Sequence, residues 1–427
     1  MMLEQLLKEK VHSYTAAQCN LILNEIMADT EIGKPWLEKI RKYVSLHGSN
    51  IQKRVKVSFS GDHTAHLNWM IKCLQSGLIN HPNDQALINA MLYLSRYANS
   101  SQREEIATSC IELEEWLLKK QPIQLPQDCD KPSFKSMNIQ DVEELGKNSI
   151  VIISPNPFSL YTLTVYQILK VLNVPVAAIV LRRFTIARFK DEFSRDGLRL
   201  VKKIWRKLIL RSNENSYKSE VSIKDIAERL RVENQDIRKL ARLDGVKCIE
   251  VNDFKDKNQH VKFLDADIGI FTGGGMISET FLSNFRAGVI NTHMGSLPRF
   301  KGMDVVEAPI LEGNFDEITL TSHLMVKALD AGPILQEFKI SSRNYETLGS
   351  LRNELSAVMP FIAVDSCIGH LTGRLKKIEQ PTTGRQYYFI HTSLQEVLKN
   401  IIKKRFVRSY ISIPKEICER ALGNLQP

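Results

Sequence analysis

Apolar residues in the first 125 positions recur every three to four residues, as at Leu21, Ile22 and Ile26 and again at Leu87, Ile88, Met91, Leu92 and Leu94. That period lines one helical face and predicts an all-helical domain over 1–125. Only four glycines interrupt the region, so few positions favour a break. Residues 55–62 alternate like a strand and end in a turn signal, but no neighbouring segment offers them a partner. The stretch 121–132 then loses all periodicity and carries three prolines among polar residues. It predicts a boundary, with a linker over 126–146.

Beyond the linker the pattern changes. Residues 149–154, 174–181, 246–251, 267–271 and 288–291 are short, nearly continuous apolar runs. Strands buried on both faces of a parallel sheet have this character. A helical run at 160–172 between the first two completes a strand–helix–strand unit, and 276–285 reads as a further helix. The elements together predict an α/β catalytic domain over 147–345, an open, doubly wound, mostly parallel, Rossmann-like sheet. Residues 346–427 read as a small accessory region, with a short strand at 384–389 and an amphipathic helix at 391–404 in which His391 is structural. Ligands of such sheets collect at the carboxyl ends of the strands, where Gly273 to Gly275 and Asn291 to His293 fall.

Composition narrows the class. With 427 residues, 43% of them hydrophobic and 25% charged, the chain suits two or three globular domains. No apolar run approaches the roughly 20 residues that span a bilayer, and the first residues lack the layout of a signal peptide, so a cytoplasmic location is expected. The seven cysteines show no CxxC spacing, which suggests neither a disulfide framework nor a metal site. The formal charge of +10 is concentrated in part between Leu181 and Arg211, where eleven Lys or Arg residues face three acids. There Val201, Ile204, Trp205 and Leu208 form one apolar helical face. The bland reading is a helix packed on its sheet with a solvated basic side; the functional ones are peripheral membrane contact through 198–211 or a grip on substrate phosphate, with nucleic acid not favoured.

The chemistry is concentrated in one block. It runs through Thr272-Gly-Gly-Gly275, Asn291-Thr-His293, Ser296-Leu-Pro-Arg-Phe-Lys-Gly302, Thr321-Ser-His323 and Leu329-Asp-Ala-Gly-Pro333. Each piece alone has an ordinary explanation: a polar strand exit, a tight turn, a strand residue, a surface lysine. In this order and spacing they resemble the folate-dependent formyltransferase family, which includes methionyl-tRNA, glycinamide ribonucleotide and sugar-amine formyltransferases. The resemblance implies Asn291, His293 and Asp330 as the catalytic centre and 10-formyltetrahydrofolate as the one-carbon donor. It also implies pterin contacts at Gly274, Met276, Ile277 and Leu329, and it needs no metal.

Those residue types suit formyl transfer. When an amine attacks a formyl carbon, the carbonyl oxygen gains negative charge while the nitrogen gains positive charge. An amide and an imidazolium can donate to the oxygen, a contribution worth about 3 to 4 kcal/mol per donor in acyl transfer. Alternation along a strand places Asn291 and His293 on one side. Asp330 would orient the imidazole and help relay the proton.

Two departures from the family pattern stand out. Gly295 occupies a position where the family commonly has serine, with Ser296 following, and Pro155-Asn-Pro157 replaces the usual glycine turn after the first strand. The expected acceptor is a small or carrier-linked amine of amino-sugar or amino-acid type. Alternatives are a formyltetrahydrofolate hydrolase, a methionyl-tRNA formyltransferase and a non-catalytic binding protein of the same fold. A nucleotide-dependent dehydrogenase is disfavoured, because neither GxGxxG nor GxxxxGK[ST] is present.

Overall fold

The computed structural model describes residues 14–47, 63–81, 84–94, 131–138, 140–145, 148–183, 221–255, 266–273, 275–315, 317–340, 345–381 and 384–406, with single residues 7, 11, 185 and 342. The strand-like stretch 55–62, residues 126–130, 139 and 146 of the linker, the basic segment 198–211 and Gly274 lie outside the described residues.

The five apolar runs form β1 Ile150–Ser154, β2 Val176–Arg182, β3 Lys247–Val251, β4 Ala266–Phe271 and β5 Phe285–His293. Three more strands follow along the chain, β6 Phe300–Gly302, β7 Ile318–Leu324 and β8 Ile334–Ile340, and a last one, β9, is Arg385–Tyr387. The main sheet has the order β3-β2-β1-β4-β5-β7-β8, and β6 pairs with β9 in a separate two-stranded ribbon. Pairs among β1 to β5 are parallel, while β5–β7 and β7–β8 are antiparallel. All five residues of β1 are buried, as a central parallel strand requires, whereas β3 sits at an edge and exposes Lys247 and Glu250. Strand order reverses between β1 and β4, which makes the crevice at their carboxyl ends the topological switch point.

In the first 95 residues the described helices are α1 Ala16–Met27, α2 Gly33–His47, α3 His63–Asn80 and α4 Gln85–Leu94. Thr15 and Gln18 close a capping box at the start of α1. Tyr14, Trp36 and Trp69 meet edge to face inside this bundle, and the Trp69 indole donates to Cys19 O at 2.7 Å. Every residue of α4 is buried, and its apolar side chains belong to the same continuous core as those of the sheet. That is why α4 lacks a polar face: it is enclosed on all sides rather than lying on a surface.

Further helices are α5 Asp141–Glu144, α6 Leu160–Val171, α7 Ile223–Arg229, α8 Ile237–Leu243, α9 Glu279–Leu282, α10 Glu307–Leu311, α11 Leu348–Leu371 and α12 Thr392–Arg405. The helix expected over 276–285 is reduced to the four residues of α9. Ser278 caps it, and Phe285 already pairs with Ala266 in the sheet. The packed layers also run past the expected boundary at 345. Helix α11 is long and apolar enough to cross a membrane, but 78% of its most apolar window is buried, and residues such as Leu351, Leu355, Phe361 and Ile368 pack into the core.

The end of the expected linker is likewise part of the packed structure. Phe134 N donates to Glu337 O at 2.7 Å and Glu337 N to Pro132 O at 2.9 Å. The edge strand β8 presents unpaired backbone groups, and this segment satisfies them.

Candidate active site

Strand β5 delivers Asn291 and His293 to one side by alternation, with Thr292 facing the other way. Antiparallel pairing sets His323 of β7 opposite Asn291, and Thr321 opposite His293. Asn291 Nδ2 and His323 Nε2 are 3.1 Å apart. On its other side His323 Nδ1 lies 3.0 Å from Leu324 O. A carbonyl only accepts, so Nδ1 carries the hydrogen. In the neutral ring Nε2 is then a lone pair that accepts from the Asn291 amide. Burial pushes His323 down to about 4, against the opposing charge of Asp330, so the ring is neutral at physiological pH.

Asp330 closes the group from the β7–β8 turn, where it adopts a positive φ of 50°. Its carboxylate lies 3.7 Å from His293 Nδ1 and 3.8 Å from His323 Nε2, beyond hydrogen bonding but close enough for strong charge interaction. It accepts a 2.9 Å hydrogen bond from Gly302 N. His293 Nε2 donates to Phe300 O at 2.9 Å. Both histidine nitrogens are therefore directed, one to a carbonyl and one towards a carboxylate. With Nε2 held by Phe300 O, the nitrogen of His293 that faces the Asp330 carboxylate is Nδ1. His293 and Asp330 are each only 8% exposed.

The loop 294–302 fits tightly around these groups, and the Leu297–Pro298 peptide within it is cis. A Cβ on Gly295 would sit 2.7 Å from His293 Nε2 and 2.8 Å from Phe300 O, inside the hydrogen bond that sets the ring. The family's serine could not stand here without moving His293. Ser296 does not replace it: the residue is fully buried, and its Oγ has no hydrogen-bond partner among the described residues. Thr321 Oγ1 donates to Gly295 O at 2.7 Å and holds the loop to β7. Lys301 lies nearby, its ammonium pushed down by burial with Asp330 acting in the opposite sense.

The four pterin-contact candidates are distributed as follows. Met276 and Leu329 are exposed apolar side chains at 56% and 44%, Ile277 is half-buried, and Gly274 is outside the described residues. The loops bearing them face each other, because Lys327 pairs with Glu279 at 3.2 Å and Ile277 and Met325 pack on one buried cluster. Among the described residues no group of three or more His, Cys, Asp or Glu could hold a metal.

His323 belongs to the block quoted from the sequence but has no catalytic role assigned there. Thr321-Ser-His323 alternates correctly for one face, but its position opposite Asn291 depends on an antiparallel register that no local pattern encodes.

A consequence for stability follows from His323. Its folded-state value lies below the ordinary 6.5 of an exposed imidazole, so the unfolded chain binds the proton first as pH falls. The neutral ring adds no penalty above about pH 6.5, and stability is lost between there and pH 4, on the order of 2 to 3 kcal/mol. His323→Gln should flatten that limb of the stability–pH curve, measured as urea midpoints from pH 7 to pH 4. An unchanged limb would refute the assignment.

Residues 225–364 match the family model described as Formyl transferase. Methionyl-tRNA formyltransferase of Treponema pallidum (strain Nichols) is 34% identical over 110 residues, which are 26% of this chain and 34% of the relative. The enzyme of the same name from Borrelia garinii subsp. bavariensis is 31% identical over 98 residues, 23% of this chain and 30% of the relative. The chain thus spans about a third of the length of these curated relatives. Among solved structures, glycinamide ribonucleotide transformylase 1 from Symbiobacterium toebii is 15% identical with a TM-score of 0.35, covering 58% of this chain and 96% of that one. The N-formyltransferase from Helicobacter canadensis, in complex with folinic acid and dTDP-3-aminofucose, is 14% identical with a TM-score of 0.35, covering 62% and 85%.

Proposed function

We propose, from the match of residues 225–364 to the formyl transferase family model, that the chain moves a formyl group from 10-formyltetrahydrofolate to the amine of a small or carrier-linked acceptor. The observation that carries this reading is the convergence of Asn291, His293, His323 and Asp330 at the carboxyl end of β5.

The roles follow from the hydrogen bonds. Asn291 has two amide hydrogens, and one points to His323 Nε2. The other is available to the formyl oxygen as it gains charge, and His323 keeps the amide from rotating away. His293 Nδ1, beside the Asp330 carboxylate, takes the proton that the attacking amine must lose and can return it to the folate nitrogen as the bond from that nitrogen to the formyl carbon breaks. Asp330 stabilises the positive charge that the ring then carries. When bound, the folate supplies the formyl group as an activated amide. Met276, Ile277 and Leu329, with Val326 also exposed on the β7–β8 loop, provide apolar surface on two facing loops, which fits a flat heterocycle held chiefly by contact and backbone groups.

The turn after β1 bears on the acceptor. Pro155 and Pro157 have no N–H, Phe158 N donates to Asn156 Oδ1 at 2.9 Å, and the Ser159 hydroxyl caps Thr162 N. Such a turn is poorly furnished for a phosphate, which elsewhere uses the backbone donors at this point of a doubly wound sheet. Phe158 is 62% exposed at the same place. The acceptor we favour therefore presents neutral or apolar surface to this turn, as an amino sugar or amino acid derivative can.

The test is turnover of 10-formyltetrahydrofolate by the full chain, followed by absorbance, with and without a pool of amino sugars and amino acids. Amine-dependent turnover is expected. Release of formate without any amine would identify a hydrolase, and failure of folate to bind would remove the donor assignment.

A further inference from the structure

Two backbone groups of β6 hold the catalytic pair: Phe300 O receives His293 Nε2, and Gly302 N reaches Asp330. Strand β6 is three residues long and pairs with β9 in register Phe300↔Arg385, Lys301↔Gln386 and Gly302↔Tyr387. The approach is close. Gly302 has φ +102°, and a Cβ there would lie 2.2 Å from Tyr387 O. An isolated ribbon this short is not stable in water, so its geometry must be imposed from outside.

The amino-terminal helices impose it. Asn89 of α4 donates from Nδ2 to Phe389 O at 3.0 Å and accepts His391 N on Oδ1 at 2.6 Å. A carbonyl at one residue and an N–H two residues on are the groups that a neighbouring parallel strand would engage, so this one side chain takes the place of a strand. Tyr93 of α4 donates its hydroxyl to the same Phe389 O at 3.0 Å, and its ring meets His391 edge to face. From α2, Arg41 donates to Gln386 O at 2.9 Å and lies over the Tyr388 ring. Asp84 pairs with Arg385 at 3.0 Å. Arg41 and Asn89 are 3% and 7% exposed, so these bonds are shielded from water.

We infer that the amino-terminal helical unit is a positioning element of the catalytic site. Through β9 it fixes β6, and through β6 it sets where His293 and Asp330 stand relative to each other. Asn89 and Arg41 are its positioning residues. Truncating Asn89 removes the side-chain acceptor of His391 N and one of the two side-chain donors to Phe389 O, which loosens the 388–391 segment and lets β6 shift against β5. A displacement of about 1 Å at reacting groups lowers rate roughly 100-fold.

The kinetic part of the test rests on the proposed formyl transfer; the spectroscopic part does not. Asn89→Ala and the milder Arg41→Lys are made in the full chain, with Tyr345→Phe as a control that removes a buried bond to Glu354 that is not among the contacts above. Histidine-selective 15N NMR at fixed pH, with His293 assigned through His293→Gln, should show its imidazole signals moved in Asn89→Ala and Arg41→Lys but not in Tyr345→Phe. Below the melting temperature, kcat should fall 10- to 100-fold in Asn89→Ala while KM for 10-formyltetrahydrofolate stays within about twofold. If Asn89→Ala does not fold, Arg41→Lys carries the same comparison. His293 signals unchanged in a folded variant would overturn the inference. Moved signals in a chain with no transferase activity would instead remove the functional reading and leave the inference standing.

Discussion

His293→Ala is expected to lower kcat for formyl transfer by about three orders of magnitude or more while the chain remains folded. The side chain performs two tasks. Its Nδ1 faces the Asp330 carboxylate at 3.7 Å and, on the proposed mechanism, is the proton acceptor on the same side of β5 as Asn291, where an attacking amine would stand. Its Nε2 ties the ring to Phe300 O and so helps seat the loop that also reaches Asp330. Loss of a general base by itself lowers rate by about 10²- to 10⁴-fold, and loosening the loop adds to that. Folding should survive, because alanine leaves the backbone ladder between β5 and β7 intact. Single-turnover rates with saturating donor are the measurement, and a loss smaller than tenfold would exclude His293 from proton transfer.

Asp330→Asn should fall almost as far, by about 10²- to 10⁴-fold in kcat, with little change in melting temperature. Asparagine matches the shape of the carboxylate and can still accept from Gly302 N, so the turn keeps its closing hydrogen bond. It also tolerates the positive φ of 50° found at this position, where most side chains would be strained. What disappears is the negative charge that balances a protonated His293. Asp330→Ala would lose the turn contact as well and should show both a rate loss and a lower melting temperature. Comparing the two variants by kcat and by thermal unfolding separates charge from structure. Equal activity of Asp330→Asn and the parent would mean that the carboxylate does not support the imidazole.

Asn291 and His323 should act as a unit. The neutral His323 ring accepts from the Asn291 amide, so loss of either member loosens the same donor, and effects within such a pair are less than additive. Gly295 belongs to the same argument. The absence of a side chain there permits the His293–Phe300 contact, so the departure from the family pattern is a packing requirement of this site.

Local pattern determined a good deal of this protein. The buried parallel strands were legible because a strand covered on both faces must be apolar along its whole length, and β1, β2 and β4 are largely so. The same-side placement of Asn291 and His293 follows from the two-residue repeat of any strand. The Asp330 turn was legible from Asp-Ala-Gly-Pro, since each residue type has a short-range backbone preference. The helix expected after Gly275 shrank to α9 because the next strand begins at Phe285, and a local propensity does not register where tertiary pairing starts. Tertiary structure alone decided the rest. His323 meets Asn291 through an antiparallel register across 32 residues, and Asn89 meets Phe389 across 300. Contacts at such separations arise only when the chain closes on itself, and they leave no periodic trace in the residues that make them.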